Sequence, residues 1–63
     1  MNGKQIIAKL KIEGWVLVRI EDSHHIMKNP EANRKVPIPV HGSKDIQIGL
    51  VKAIEKQTGV KLL

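Results

Sequence analysis

Apolar residues recur at helical spacing between Lys4 and Glu13, with charged residues filling most of the intervening positions. The pair Ile6 and Leu10 shows the four-residue spacing of one helix face, so the segment predicts a first helix. Asn2 precedes it as a plausible N-cap, because its side-chain oxygen can accept a bond from a free helix amide. Gly14 follows where a left-handed residue is wanted to end a helix.

A β-hairpin is predicted after Gly14. The run Trp15 to Glu21 is dense in β-branched and aromatic residues, which favours a strand. Asp22 and Ser23 are typical turn residues, and the segment His24 to Lys28 predicts a second strand. The polar stretch that follows, "NPEANR", predicts a second turn.

The next six residues, "KVPIPV", predict a third strand that lies at the edge of the sheet. The apolar residues of this strand alternate onto one face: Val36, Ile38 and Val40. Pro37 and Pro39 occupy the positions between them and have no N–H to donate to a ladder. A strand of this kind should pair through one side only and leave a proline-blunted edge towards solvent.

Helical spacing returns after the loop His41 to Asp45, with an apolar face that comprises Ile46, Leu50, Val51 and Ile54. We expect this second helix to run from Ile46 to Thr58 and to end near Gly59. The last apolar residues, Val60, Leu62 and Leu63, should fold back on the core. The prediction is one α+β domain over residues 1–63, in the order α-β-β-β-α, with both helices on one sheet face.

Composition limits the classes of function. The chain has 63 residues and no cysteine, so neither a disulfide framework nor a typical structural zinc site is expected, and no cofactor is predicted. Eleven Lys and Arg against six Asp and Glu give a formal net charge of +5, which favours a polyanionic partner such as nucleic acid. No continuous apolar run resembles a signal peptide or a membrane span, so we expect a soluble, cytoplasmic protein.

The predicted order of elements is that of the double-stranded RNA-binding fold, which recognises RNA by shape and backbone contacts. Four short motifs add to it: "GW" at residues 14–15, Arg19 in the first strand, "SHH" at residues 23–25, and "VPIPVHGSKDI" before the second helix. The closing "GLVKAIEKQTGV" is a further match. In this order and spacing, from Lys4 to Val60, the chain resembles the HicA family of small toxins, the RNA-cleaving halves of toxin–antitoxin pairs.

The resemblance implies an mRNA interferase that is neutralised by a HicB-type antitoxin. Members usually carry Gly-Ser-His at the turn that opens the second strand, so the catalytic histidine maps onto His24 and the preceding serine, a candidate RNA contact, onto Ser23. Asp22 stands in place of the usual glycine. A carboxylate there either weakens the approach of phosphate or stabilises the protonated histidine, and the sequence leaves the sign of its effect on rate open.

His24 suits RNA cleavage chemically. The 2′-hydroxyl of RNA is an internal nucleophile that needs only proton removal, charge stabilisation and protonation of the leaving group, and imidazole can carry out either proton transfer near neutral pH. The chain lacks the clustered carboxylates with which magnesium-dependent nucleases hold their ions, so we expect no metal. No second acid–base group is obvious from the sequence.

The remaining candidates are weaker. Strand alternation sends His25 to the face opposite His24, so it is either a surface residue that touches RNA or the backup catalyst. His41 either contacts phosphate or caps its loop. Arg19 is the better phosphate candidate among the basic residues, followed by Lys28 and Lys44, and then by the helix lysines Lys4, Lys9, Lys11, Lys52 and Lys56. Trp15, the only aromatic residue, is expected in the core.

Two other functions remain open at this stage. A non-catalytic RNA-binding module of the same fold would explain charge and topology but would leave His24 without a role. An interaction protein for an acidic partner would explain the charge alone. For the free protein we expect a monomer.

Overall fold

The computed structural model describes residues 1–63. Its elements are α1 (Gly3–Ile12), β1 (Val16–Glu21), β2 (His24–Asn29), β3 (Arg34–Pro39) and α2 (Ile48–Thr58). The predicted α-β-β-β-α order is therefore confirmed. Neither helix has the length and apolar character that crossing a lipid bilayer requires.

The ends of α1 follow from local chemistry. Asn2 accepts a hydrogen bond from the Gln5 amide at 2.9 Å, and the Gln5 side chain accepts one from the Asn2 amide at 2.8 Å. This reciprocal capping box satisfies two backbone donors that a helix start leaves free. At the other end Gly14 has φ of 95°, so the chain turns out of the helix at a position that favours glycine. Both predicted ends of the helix are confirmed.

The three strands form one antiparallel sheet in the order β1-β2-β3, with β2 in the centre. The row through His25 pairs it with Ile20 on β1 and Ile38 on β3, and the row through His24 pairs it with Glu21 and Pro39. Side chains directly opposite each other in an antiparallel sheet share a face. The His25 row therefore lies on one face and the His24 row on the other. β3 pairs only with β2, as its prolines predicted.

Ten buried apolar residues make one core between the helices and the sheet. The sheet contributes Met27, Val36 and Ile38, which lie on the same face as His25. Both helices contact β3 and contribute five buried residues to the cluster, and Trp15 and Leu62 complete it. The five helix residues are Ile6, Ile7, Leu10, Val51 and Ile54. Trp15 is also buried, as predicted. β1 is covered much less, and every residue of this strand is exposed.

The second helix begins two residues later than predicted. Its first residue is Ile48, because the chain at Asp45 and Ile46 is held against the N-terminal segment instead. The Ile46 amide donates to the Met1 carbonyl at 2.9 Å, and Asp45 forms a bridge with Asn2. An extended segment tied in this way cannot supply the first turn of a helix.

Two apolar residues of the second half are also more exposed than predicted. Leu50 and Leu63 are exposed, so neither is part of the core, whereas Leu62 is buried and Val60 packs partly against the core. The predicted end of α2 is correct, since Gly59 is left-handed with φ of 73°. Arg34 adds a cap there by donating from Nη1 to the Gln57 carbonyl at 2.9 Å.

Gly3 is the point of closest approach between α1 and the end of β3. A β-carbon at this position would lie 2.9 Å from Val40 Cγ2 and would also collide with the Pro39 carbonyl oxygen. We expect Gly3→Ala to lower the free energy of unfolding by about 1–3 kcal/mol, because backbone must move to admit the methyl group. Urea unfolding measures this change.

Gly49 provides the matched control. It lies in the first turn of α2, where a β-carbon would meet nothing within 4 Å. Gly49→Ala should raise the free energy of unfolding by about 0.4–1 kcal/mol by restricting the unfolded chain. Equal effects of the two substitutions would contradict the close approach at Gly3.

Glu55 ties the C-terminal segment to α2. Its Oε2 accepts hydrogen bonds from the Leu62 amide at 2.6 Å and the Leu63 amide at 3.0 Å. The bonds from Leu63 and Leu62 hold the pKa of this carboxyl below its ordinary value of 4.5. A lowered folded-state pKa contributes stability above the unfolded-state pKa, and this contribution is lost as the pH falls through the folded-state value.

We therefore expect Glu55→Gln to reduce the dependence of stability on pH below about 4.5. Urea midpoints measured between neutral and acidic pH should fall less steeply for this variant than for the parent. Glu31→Gln is the control, since Glu31 is exposed in the turn before β3. An unchanged acid slope in Glu55→Gln would show that the carboxylate does not hold the C-terminal segment.

Candidate active site

The turn between β1 and β2 places His24 at the first position of β2. Asp22 has φ of 55°, a left-handed conformation that L-residues other than Asn and Asp seldom adopt. Glycine adopts this conformation freely, which explains why it suits the position. In this chain aspartate adopts the left-handed conformation instead. Ser23, which is half-buried, accepts a hydrogen bond at its carbonyl from the Val40 amide at 2.7 Å. The turn is thereby attached to the end of β3.

The open face of the sheet is the face that the helices do not cover. It carries His24 with an acidic and a basic neighbour. His24 is exposed, and Glu21 lies directly opposite it on β1. Arg19, two residues before Glu21 and on the same face, pairs with Ile26 in the next row. The Arg19 Nε donates to the Glu21 carboxylate, which makes an ion pair at the exposed edge. The predicted residues His24 and Arg19 are therefore brought to one face.

Glu21 was not among the site residues predicted from the sequence. The sequence does indicate this position, because a two-residue turn at Asp22 and Ser23 makes the flanking residues, Glu21 and His24, a cross-strand pair. Alternation then places Arg19 on the same face as Glu21. This carboxylate is a second ionisable group beside His24, where the sequence had suggested none.

His25 lies on the opposite face, as strand alternation predicted, but it is not a surface residue. It is half-buried between Ile20 and Ile38 in its row, and its Nδ1 is buried without a hydrogen-bond partner. The helices pack against this face. The structure thus separates the two adjacent histidines by the thickness of the sheet.

His41 and Lys44 lie in the loop before α2 and line an open cleft of about 260 Å³. Pro39, the β3 partner of His24, lines the same cleft. Leu50 contributes to its wall, which accounts for the exposure of that side chain. The cleft therefore adjoins the end of the sheet where β2 begins, and it adds two predicted residues to the surroundings of His24.

The other predicted basic residues are divided between two layers. Lys28 lies on the open face, four residues beyond His24, and is paired with Lys35, which was not among the predicted RNA contacts. The helix lysines are exposed on the layer that covers the opposite face: Lys4, Lys9, Lys11, Lys52 and Lys56. No three His, Asp or Glu side chains come together in a cluster that could hold a metal ion.

Comparison with known families extends this description. A family model described as the HicA toxin of bacterial toxin–antitoxin systems matches residues 3–60, which include both helices and all three strands. The chain belongs to the HicA toxin family. A search of curated proteins found no match to the chain. Membership of HicA confirms the family inferred from the "GW", "SHH" and "VPIPVHGSKDI" motifs, and the double-stranded-RNA-binding-like order of elements agrees with it.

Asp22 is one of two non-glycine residues of this HicA chain with positive φ, the other being Asn33. We expect Asp22→Gly to raise the free energy of unfolding by up to about 1 kcal/mol, because glycine adopts positive φ without a β-carbon penalty. The gain is limited by the greater freedom of glycine in the unfolded chain. Urea unfolding tests this, with Asp22→Ala as a comparison that should lower stability. A stabilising alanine would contradict the left-handed assignment.

Proposed function

We propose that the chain is a metal-independent endoribonuclease that cleaves mRNA as the toxin of a type II toxin–antitoxin system. The observation that supports this most is the exposed imidazole of His24 on the open sheet face, with the cationic Arg19 in the neighbouring row. A proton-transfer group and a phosphate-binding group on one accessible surface are the minimum that RNA transesterification needs. The family match gives the toxin class independently.

In the proposed reaction, the neutral imidazole of His24 removes the proton from a 2′-hydroxyl, and the oxygen attacks the adjacent phosphorus. The bond from phosphorus to the 5′-oxygen breaks, and the departing oxygen takes up a proton from water, while the imidazolium of His24 returns its proton to the solvent. The products are a 2′,3′-cyclic phosphate and a 5′-hydroxyl end. The Arg19 guanidinium offers planar donors to the phosphate oxygens on which negative charge develops.

Other basic residues would hold the rest of the RNA strand. Lys28 and Lys35 extend the cationic surface along the open face, and His41 and Lys44 extend it into the cleft beside Pro39. These contacts are to phosphates, so they position the RNA without reading its sequence. The helix lysines lie on the other layer and contribute to the general attraction of RNA that follows from a net charge of +5.

The proposed partner is a HicB-type antitoxin. Its simplest mode of neutralisation is to cover the open face and so block access to His24. The basic character of the chain favours an acidic surface on that partner.

The proposed activity is tested by incubating the purified protein with RNA in EDTA. We expect strand cleavage that leaves cyclic phosphate at the new 3′ ends, detected by sensitivity of those ends to acid opening and phosphatase. Binding is measured in parallel. RNA that is bound but stays intact would contradict the nuclease and favour the non-catalytic RNA-binding module.

A further inference from the structure

Arg19 already forms an ion pair in the protein without RNA. Its Nε donates to Glu21 Oε2, and the two side chains are 53% and 54% exposed. Glu21 also lies directly across the ladder from His24. The arginine in the row next to that of the proposed catalytic residue is therefore paired with a carboxylate of the same chain.

A carboxylate and a phosphate compete for the same donors of a guanidinium group, because both offer planar or near-planar pairs of anionic oxygens. We propose that Glu21 competes with RNA phosphate for Arg19 and thereby lowers the affinity of the site for RNA. Glu21 in this sense lowers the affinity for RNA by acting through Arg19. The inference rests on the proposed function in that it takes RNA as the ligand of this face.

The size of the effect follows from the exposure of the pair. Ion pairs between exposed side chains are weak, so RNA can displace Glu21, yet the competition reduces the affinity by about twofold to fivefold at low salt. The position of Glu21 adds to this, since its negative charge lies beside the path of any phosphate that approaches His24. Removal of the carboxylate should leave the proton chemistry of His24 in place.

The test measures binding of a fluorescein-labelled single-stranded 20-mer RNA to variants that carry His24→Ala, so that the RNA stays intact. In this background Glu21→Gln should bind the RNA about twofold to fivefold more tightly at low salt. The slope of log affinity against log salt should become steeper, because salt screens the exposed ion pair and so weakens the competition that Glu21 exerts in the parent.

Glu31→Gln is the matched control, because it changes the net charge by the same amount in the exposed turn between β2 and β3. It should leave the slope unchanged and have a smaller effect on affinity. Arg19→Gln completes a double-mutant cycle. If Glu21→Gln tightens binding equally in the presence and absence of Arg19, the competition is overturned. The same conclusion follows if Glu21→Gln and Glu31→Gln are indistinguishable.

Kinetics separate this inference from the proposed function. With His24 restored, Glu21→Gln should lower KM for RNA and leave kcat within about twofold of the parent, whereas a loss of kcat would overturn the inference by showing that Glu21 supports the chemical step. If the parent does not cleave RNA but the binding results are as expected, the inference holds and the nuclease proposal fails.

Discussion

His24→Ala is expected to reduce the rate of RNA cleavage by about 10²- to 10⁴-fold, the range that a positioned general acid–base group contributes. The substitution should leave the fold intact, because His24 is exposed on the open face and no core residue depends on it. Circular dichroism and urea unfolding check the fold, and cleavage of a labelled RNA in EDTA measures the rate. Expression of the variant should no longer arrest growth of the host.

His25→Ala is the informative comparison because it removes the neighbouring imidazole from the other face of the sheet. Its rate per folded molecule should stay within about twofold of the parent, since His25 is half-buried against the helix side. If activity is lost in His25→Ala and kept in His24→Ala, the chemistry takes place on the helix-covered face of the sheet, and the proposed role of His24 is overturned.

Ile38→Ala is expected to lower the free energy of unfolding by about 2–5 kcal/mol. Ile38 is fully buried on β3, the strand that both helices contact, and its truncation leaves a cavity in the only core cluster of the chain. Small domains are stable by only about 5–15 kcal/mol, so a large part of the stability would be lost. Urea unfolding at 25 °C measures the difference.

Ile20→Ala makes the matched control for this loss. Ile20 and Ile38 flank His25 in the same row and on the same face, yet Ile20 is 55% exposed. The same truncation should therefore lower the free energy of unfolding by less than about 1 kcal/mol, because little area is removed from water there. Similar losses at both positions would show that the helices cover β1 as well as β3.

Much of the fold could be predicted from the sequence because the relevant signals are local. Asn2 and Gly14 mark the ends of α1 through capping chemistry, and Gly59 marks the end of α2 in the same way. The prolines of β3 identify an edge strand because a missing N–H cannot be replaced by any neighbour. Alternation along β2 was enough to separate His24 from His25.

The predictions that were wrong concern residues that contact segments distant in sequence. The start of α2 was placed too early because Ile46 fits the helical spacing, but its amide is bonded to Met1, which is 45 residues away in sequence. Leu50 fits the same spacing, yet it lines the cleft beside Pro39 and remains exposed. Neither contact can be recognised from a local hydrophobic pattern.

The sequence by itself determined the element order and the family motifs, because these depend on residue type, spacing and turn chemistry, and His24 is proposed from the family resemblance. Only the tertiary structure decided which charged groups surround that histidine. Strand pairing sets Glu21 opposite His24, and side-chain geometry pairs Glu21 with Arg19. Helix packing then assigns the lysines of α1 and α2 to the other layer. The charged groups that surround His24 depend on strand register and on the layer in which each residue lies, and both are set when the strands pair and the core forms.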